Sequence, residues 1–438
     1  MVWAVFLILS TTLQPGGEFL MISPGAAQVG MGMGGVAYPN DIPGIYYNPA
    51  NVNLTGTGMY IQNTPILEPW NYLFSEITGY YKKKDIPYSP DWLSEIWPGM
   101  KYMYGGIKFP SLGFNPFSQL TVLINIGMNY TYLTTGEMEV EINGQMYKFE
   151  NFDYAIGIPI GISFFDNIIN VGITPKYVYS LGAPQNILEA MGDTTARGYA
   201  NAFTYDAGIL LKDPFGFGSI GLSYSNIIGF LSYMKDNSGR DNLPRFVRFG
   251  YSISPIVAIK KYLNLPFDIT KIFDVRYSGE KLTDRGGTER NFWDSRGREI
   301  TLLNTIIFRE GYFSDTLGSR VGKTDGIGIR LGNITMDYGN DSEIYTGLFH
   351  IKNYRLSMSM HSLEGENKYY AIPLSILFPG AGHMYLGMVK KGLIYGGIAT
   401  LVSLVPPYGS KSKNKILSGF FYSLSLASVI DLFWDVKK

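Results

Sequence analysis

From Gln119 onward the chain alternates, and the alternation is long. Leu120, Val122, Ile124, Ile126, Met128, Tyr130 and Tyr132 share one parity, while Thr121, Asn125, Gly127, Asn129 and Thr131 hold the other. The phase continues through Met138, Val140 and Ile142 against Glu137, Glu139 and Glu141, until Asn143-Gly144 supplies the residues of a type I′ hairpin turn. The return run repeats it, with Phe152, Tyr154, Ile156, Ile158, Ile160 and Ile162 opposed by Asp153, Ala155, Gly157, Pro159, Gly161 and Ser163. A period of two sends successive side chains to opposite faces of a strand, so one face is large and apolar and the other small or polar. The pattern returns near residues 169–180, 203–212, 247–254 and 354–361.

Such alternation suits a soluble sandwich, whose large face is its core, or a membrane barrel, whose large face meets lipid. Three features favour the barrel. The small face is rich in Gly, Ser, Asn and Thr rather than Lys and Glu, Tyr and Phe gather near strand ends, and residues 119–142 far exceed a soluble strand. Charged residues make up only 16 % of the chain, against roughly 25 % in soluble domains. The expected fold class is therefore an all-β transmembrane barrel of about 12–14 antiparallel strands, with an N-terminal plug segment and a C-terminal α-helical hairpin. Short connections at 165–168 and 213–216 alternate with long ones at 181–199, 228–244 and 278–299, as in barrels with short periplasmic turns and long external loops. That parity places both the plug and the chain after His361 on the periplasmic side. Residues 69–99 read as a strand pair or as part of an external lobe, with a short helix at 91–96.

Residues 28–50 break the pattern. Gly30, Met31, Gly32, Met33, Gly34 and Gly35 are too glycine-rich for a helix and lack strand alternation, and Tyr46, Tyr47, Asn48 and Pro49 close the segment on a turn. The final glycine comes one residue too early for a dinucleotide fingerprint. This Gly-Met-Gly-Gly run closed by Tyr-Asn-Pro-Ala resembles the N-terminal signature of PorV and related FadL-type outer-membrane barrels. Phe203-Thr-Tyr-Asp-Ala-Gly-Ile209, Gly221-Leu-Ser-Tyr-Ser-Asn226, Leu243-Pro-Arg-Phe-Val-Arg-Phe-Gly250 and Ile334-Thr-Met-Asp-Tyr338 are similar to later strands of that family, in order. The resemblance covers residues 18–361. It implies a FadL-like barrel of about fourteen strands whose N-terminal segment enters the lumen. Such barrels pass hydrophobic compounds, or serve type IX secretion as partner-binding barrels. On this reading Gly30 to Gly35 and Tyr46 to Pro49 form the gating plug. Pro159 and Pro175, each inside a strand, are candidate kinks: a structural bulge, or a lateral exit for an apolar ligand.

The ends differ from the middle. Residues 1–10 are an apolar run too short to span a bilayer and read as a secretory signal. After His361 come residues 371–386, with Pro379-Gly380-Ala-Gly382, then apolar stretches at 392–405, ended by Pro406-Pro407, and at 416–434. They resemble a small helical-hairpin membrane module and are expected to be interfacial or barrel-packed. The domains expected are a signal at 1–17, a plug at 18–56, a barrel at 57–361 and a membrane-associated hairpin at 362–438.

Chemistry is sparse. Lys plus Arg and Asp plus Glu balance at 36 each, so no nucleic-acid partner is indicated, and there is no cysteine. None of the three histidines, His350, His361 and His383, has metal-ligand spacing to another ligand, and no Gly-x-Ser-x-Gly, Walker A or zinc-protease motif occurs. The charge-rich runs at 193–197 and 285–298 read as solvated loops or as a docking surface. The expectation is a non-enzymatic bacterial outer-membrane barrel without cofactor or metal, passing hydrophobic small molecules through a plugged lumen. The alternative is a type IX secretion-type barrel that holds secreted surface proteins. Expected partners are outer-membrane lipid and either a hydrophobic small molecule or a secreted surface protein. Passage predicts an elongated apolar pocket beside residues 29–47; partner binding predicts a lumen closed by side chains and an apolar loop patch.

Overall fold

The computed structural model describes residues 17–39, 41–67, 70, 101–117, 120–256, 266–278, 291–315, 320–341, 354–363, 365, 367–405 and 411–437. Residues 1–16 of the expected signal at 1–17, the 69–99 lobe with its helix apart from Trp70, residues 285–290 of the expected charged run, and His350 lie outside them.

The alternating segments form strands β1 (Gly58–Gln62), β2 (Lys101–Lys108), β3 (Leu112–Phe117), β4 (Leu120–Ile142), β5 (Gln145–Gly157), β6 (Ile160–Phe164), β7 (Ile169–Leu181), β8 (Tyr199–Lys212) and β9 (Gly218–Ser225). A small hairpin, β10 (Phe230–Leu231) and β11 (Asp241–Asn242), precedes β12 (Phe246–Ile253), β13 (Phe267–Ser278), β14 (Asn291–Leu302), β15 (Ile306–Asp315), β16 (Arg320–Leu331), β17 (Ile334–Asn340) and β18 (Tyr354–His361). β2 continues into β3 and β5 into β6 as single staves, and β1 pairs with both β2 and β18. The result is a closed antiparallel barrel of fourteen staves. Residues 291–299, expected in a loop, belong to β14 instead. Their charges alternate in strand register, with Glu299 turned inward and Arg298 outward, a pattern easily mistaken for a solvated run.

The wall is inside out relative to a soluble protein. Phe203, Ile220 and Phe308 are 72 %, 52 % and 46 % exposed, whereas Thr204, Asp206 and Ser223 are at most 4 % exposed. Holding a large apolar side chain in water rather than burying it costs about 1.5–3 kcal/mol. A band of them is stable only against lipid.

Asn143 (φ 52°) and Gly144 (φ 79°) both take positive φ, as a type I′ turn requires, and carry β4 into β5 at the long-loop end. At the opposite end Leu303-Asn304 and Gly332-Asn333 make equally tight turns. A short helix, α3 (Gln185–Ala190), lies in the long connection after β7, and beyond His361 come α4 (Lys368–Leu377), α5 (Ala381–Tyr385), α6 (Val389–Ser403) and α7 (Lys411–Lys437). They pack on the outer wall, where Met59, Ile61, Ile107, Met336, Met358 and Met360 join Leu374, Phe378, Met384 and Phe421 in one buried cluster.

Candidate functional site

The lumen is filled by the chain's own N-terminal segment. Residues 17–57 thread through the barrel as short turns: a 3-10 turn at Glu18–Met21, α1 (Ala26–Gly30), α2 (Gly44–Tyr47) and a 3-10 turn at Pro49–Asn53. The glycine count argued against helix, and no long helix forms; yet α1 and α2 each complete about one turn, which needs few side chains. Nearly every described plug residue is buried.

Small wall residues make room for it. A Cβ on Gly311 would lie 2.1 Å from the Gly32 nitrogen, and one on Gly172 2.4 Å from the Pro49 carbonyl carbon. Gly32 itself takes φ +75° and donates its N–H to Thr324 Oγ1 at 2.8 Å. Backbone here packs against backbone, and only glycine leaves the space. Gly30 abuts Gly326, Met31 packs with Tyr38 and Ile272, and Met33 with Val29, Trp293 and Phe313. Gly34 is buried on the same turn, and Gly35 lies under the Tyr47 ring.

Polar bonds then fix the plug around its circumference. Asn48 donates through Nδ2 to the Val36 and Ile209 carbonyls, both at 3.1 Å, and accepts from the Ala50 N–H at 3.0 Å. Ser223 donates to the Tyr47 carbonyl at 2.6 Å and Ser219 to the Ala37 carbonyl at 2.5 Å. Asn125 donates to Asn53 Oδ1 at 3.0 Å. Tyr46 and Tyr47 meet edge to face at 5.1 Å and donate their hydroxyls to the carbonyls of Leu20 and Pro24. The Arg248 guanidinium stands 4.7 Å from the Tyr46 ring centroid and 4.2 Å from that of Phe246, and donates to Ser225 Oγ at 3.0 Å.

A buried charge chain lies beside it. Arg309 Nε is 2.7 Å from Glu299 and its Nη1 2.7 Å from Asp337, while Tyr38 donates to Glu299 at 2.8 Å. Burial, then the adjacent Glu299 carboxylate, raise the Tyr38 phenol well above its ordinary pKa, so it stays a donor throughout the physiological range. Lys176 pairs with Asp206 at 2.7 Å, and Arg355 donates to the Ser23 carbonyl. Lys176, Asp206 and Arg355 lie on the small parity visible in the sequence. The pairing of these charges, with Glu299 directly across from Arg309 on the next strand and Lys176 reaching Asp206 between neighbouring β7 and β8, needed a strand register that was not legible there.

At the tight-turn mouth a cavity of about 240 Å³ opens between plug and wall, lined among others by Asp41, Arg330, Asn333, Asp337, Ser359 and His361. His361 Nε2 is 3.3 Å from Asp41. Its lining side chains are mostly polar or charged, so this cavity is not the elongated apolar pocket expected beside residues 29–47. The apolar surface lies toward the long-loop end and is occupied, with Phe19 and Leu20 packed among Ala155, Val178, Ala200, Ala202, Leu231 and Leu243.

The two prolines do not interrupt the wall. Gly157 faces Asn129 and Ile160 faces Ile126, so the register passes Pro159 without an inserted residue, and the Pro159 carbonyl accepts from the Gly127 N–H at 2.9 Å. Pro175 stays paired opposite Tyr205, and its carbonyl accepts from Ile158 at 3.0 Å. Each proline lacks one ladder donor, and around Pro159 the stave is interrupted between Gly157 and Ile160 while its register is kept.

His383, which has no ligand at useful spacing in sequence, is brought 3.2 Å from Asp431 and 3.9 Å from Asp435 by the fold. Lys391 Nζ sits at 3.0 and 2.6 Å from those carboxylates and supplies the cluster's positive charge.

No family model matches the chain, and no curated protein matches it. Among solved structures it is similar to the toluene transporter TodX of Pseudomonas putida, at 10 % identity over 77 % of this chain and 98 % of that one, with a TM-score of 0.40. It is also similar to a deltaS2 mutant of the TodX monoaromatic hydrocarbon channel, at 12 % identity over 77 % and 97 % of the two chains, with a TM-score of 0.41. At these scores the barrel stands on its own strand pairing.

Proposed function

We propose that this chain is a bacterial outer-membrane barrel of the FadL type that admits hydrophobic small molecules through a lumen gated by its N-terminal plug. One observation carries the reading: the Phe19-Leu20 turn fills, with the chain's own apolar side chains, a compartment whose wall is built from Ala155, Ala200 and Ala202. Small wall residues leave a space of apolar character once that turn withdraws, and a hydrophobic solute gains by taking its place. The loop bearing β10 and β11 closes over the compartment through Leu231 and Leu243. On this reading the tight-turn mouth with Asp41 and His361 faces the periplasm.

The test is uptake of a small aromatic hydrocarbon by proteoliposomes. Replacing Phe19 and Leu20 together by Ser is expected to raise uptake several-fold while the barrel stays folded by its heat-modifiable gel mobility. Unchanged uptake in a folded variant refutes the gate.

A partner-binding role in type IX-type secretion is the second reading, and one feature favours it. The loops at 182–198 and 226–245 are stitched into a fixed surface: Ala196 pairs with Met234, Arg197 donates to Asn237 at 2.5 Å, and Lys235 to the Thr194 carbonyl at 2.7 Å. Co-purification in mild detergent separates the two. A stoichiometric surface protein with no bound hydrocarbon or lipid favours the second.

A further inference from the structure

The C-terminal helices carry the same inversion as the barrel wall. In α7 the side chains turned toward the protein include Ser425 and Ser428, buried with Phe421, Val429 and Leu432; those turned away are Ile416, Phe420, Leu426, Ile430, Phe433 and Trp434, each about half exposed or more. Ser428 has its partners inside, taking the Gly380 N–H at 2.9 Å. α6 repeats the arrangement: Gly392, Gly396, Ala399, Thr400 and Ser403 are buried, while Ile394, Ile398 and Leu401 face out. Small residues at four-residue spacing let helices approach closely, which is how helices pack inside a bilayer, where apolar surface has no reason to turn inward. In water this polarity would be reversed.

Placement along the barrel agrees. Gly396 seats against Met59 and Met360 near the tight-turn end, and Leu404 meets Gly105 further along the wall, so α6 climbs alongside the strands. α7 returns, contacting the 3-10 turn at Pro65–Leu67 that follows β1 and bringing Asp431 and Asp435 back to Lys391 at the start of α6. Residues 415–435 form a 21-residue apolar helix with mean hydropathy 1.7, bounded by Lys415 at one end and the ion-paired aspartates at the other. At 1.5 Å per residue it spans about 30 Å, the thickness of a bilayer's hydrocarbon core.

We propose that α7 crosses the hydrocarbon layer beside the barrel and that the shorter α6 lies within that layer against the wall, their outward faces bathed in lipid acyl chains and their inward faces sealing the junction of β1 and β18. The wall residues they cover, Met59, Ile61, Met358 and Met360, have the outward parity that meets lipid elsewhere on the barrel, so helix replaces lipid over that sector.

The chain has no cysteine, so single cysteines can be introduced cleanly. Bimane is attached at Leu426→Cys or Ile398→Cys, with Leu222→Cys on the barrel's outer face and Asn143→Cys at the hairpin tip as references, and each protein is reconstituted in vesicles with or without brominated lipid. The expected result is bromolipid quenching at 426 and 398 matching that at 222, with little quenching by aqueous iodide. Iodide quenching like that at 143 overturns the proposal, as does protection from both quenchers, which would mean another protein or a second copy covers this face. Loss of quenching at 222 as well would sink the membrane barrel itself. The two helices report separately, so a misfolded variant at one site leaves the other to decide.

Discussion

Arg309 shows what one side chain holds. It is fully buried between Glu299 and Asp337, and Glu299 in turn receives the Tyr38 hydroxyl of the plug. Arg309→Met leaves two carboxylates buried without their cation, a loss of about 3–5 kcal/mol. A lowered urea unfolding midpoint checks this, and adding Glu299→Gln and Asp337→Asn should recover part of it; an unchanged midpoint in the single variant refutes the account. Gly311 offers a second test. Its missing side chain is the space in which the Gly32 and Met31 backbones lie, so Gly311→Val must push backbone aside. Higher single-channel conductance is expected, while Gly419→Val, where an added Cβ meets nothing within 4 Å, should change nothing. Equal conductance in both would mean that the plug tolerates the bulk. The sequence marked Gly30 and Gly32 as packing positions but not against what, because their partners Gly326 and Gly311 are wall glycines nearly three hundred positions away.

At the scale of elements, alternation made the strands legible, since a period of two needs no knowledge of partners. The hairpin at Asn143-Gly144 was readable from its turn residues, and the β17–β18 pair from the family resemblance. Three things were not. The charges of residues 291–299 hid a strand behind loop-like composition. The single turns of α1 and α2 fall below the length at which helical periodicity shows. The pocket's polarity depended on which plug residues reach the mouth. The prolines were visible in sequence, but their consequence was not. Because the register runs through Pro159 unbroken, Pro159→Ala should shift stability by less than about 1 kcal/mol, the worth of one ladder bond. Hydrocarbon uptake should stay at the parent rate. A marked fall in uptake would show that the proline shapes an exit after all.

For the whole molecule, the plug is the only described segment that fills the lumen while belonging to no stave. Deleting residues 30–47 is expected to leave a heat-modifiable barrel whose conductance and dye leak rise well above the parent's. A barrel that fails to fold, or one equally tight, would show that this segment does not serve as a stopper. The barrel class was readable because it follows from local pattern, and the plug was readable through the family resemblance of residues 28–50. The outer helices' place against β1 and β18 was not, because apolar stretches of marginal length fit a surface, a wall or a span alike.

The junction of β1 and β18 joins strands from opposite ends of the barrel sequence, with Gly58 opposite His361. Within, Ala26 presses on Gly339 and gives its N–H to Tyr60; outside, Gly396 wedges onto Met59 and Met360. This join is thus clasped from both sides by segments that precede and follow all of its strands. A nascent chain lacking its final helices has only the inner half of the clasp. Stalled or clipped molecules should come apart along this one line, offering β1 and β18 as free edges to proteases and to one another.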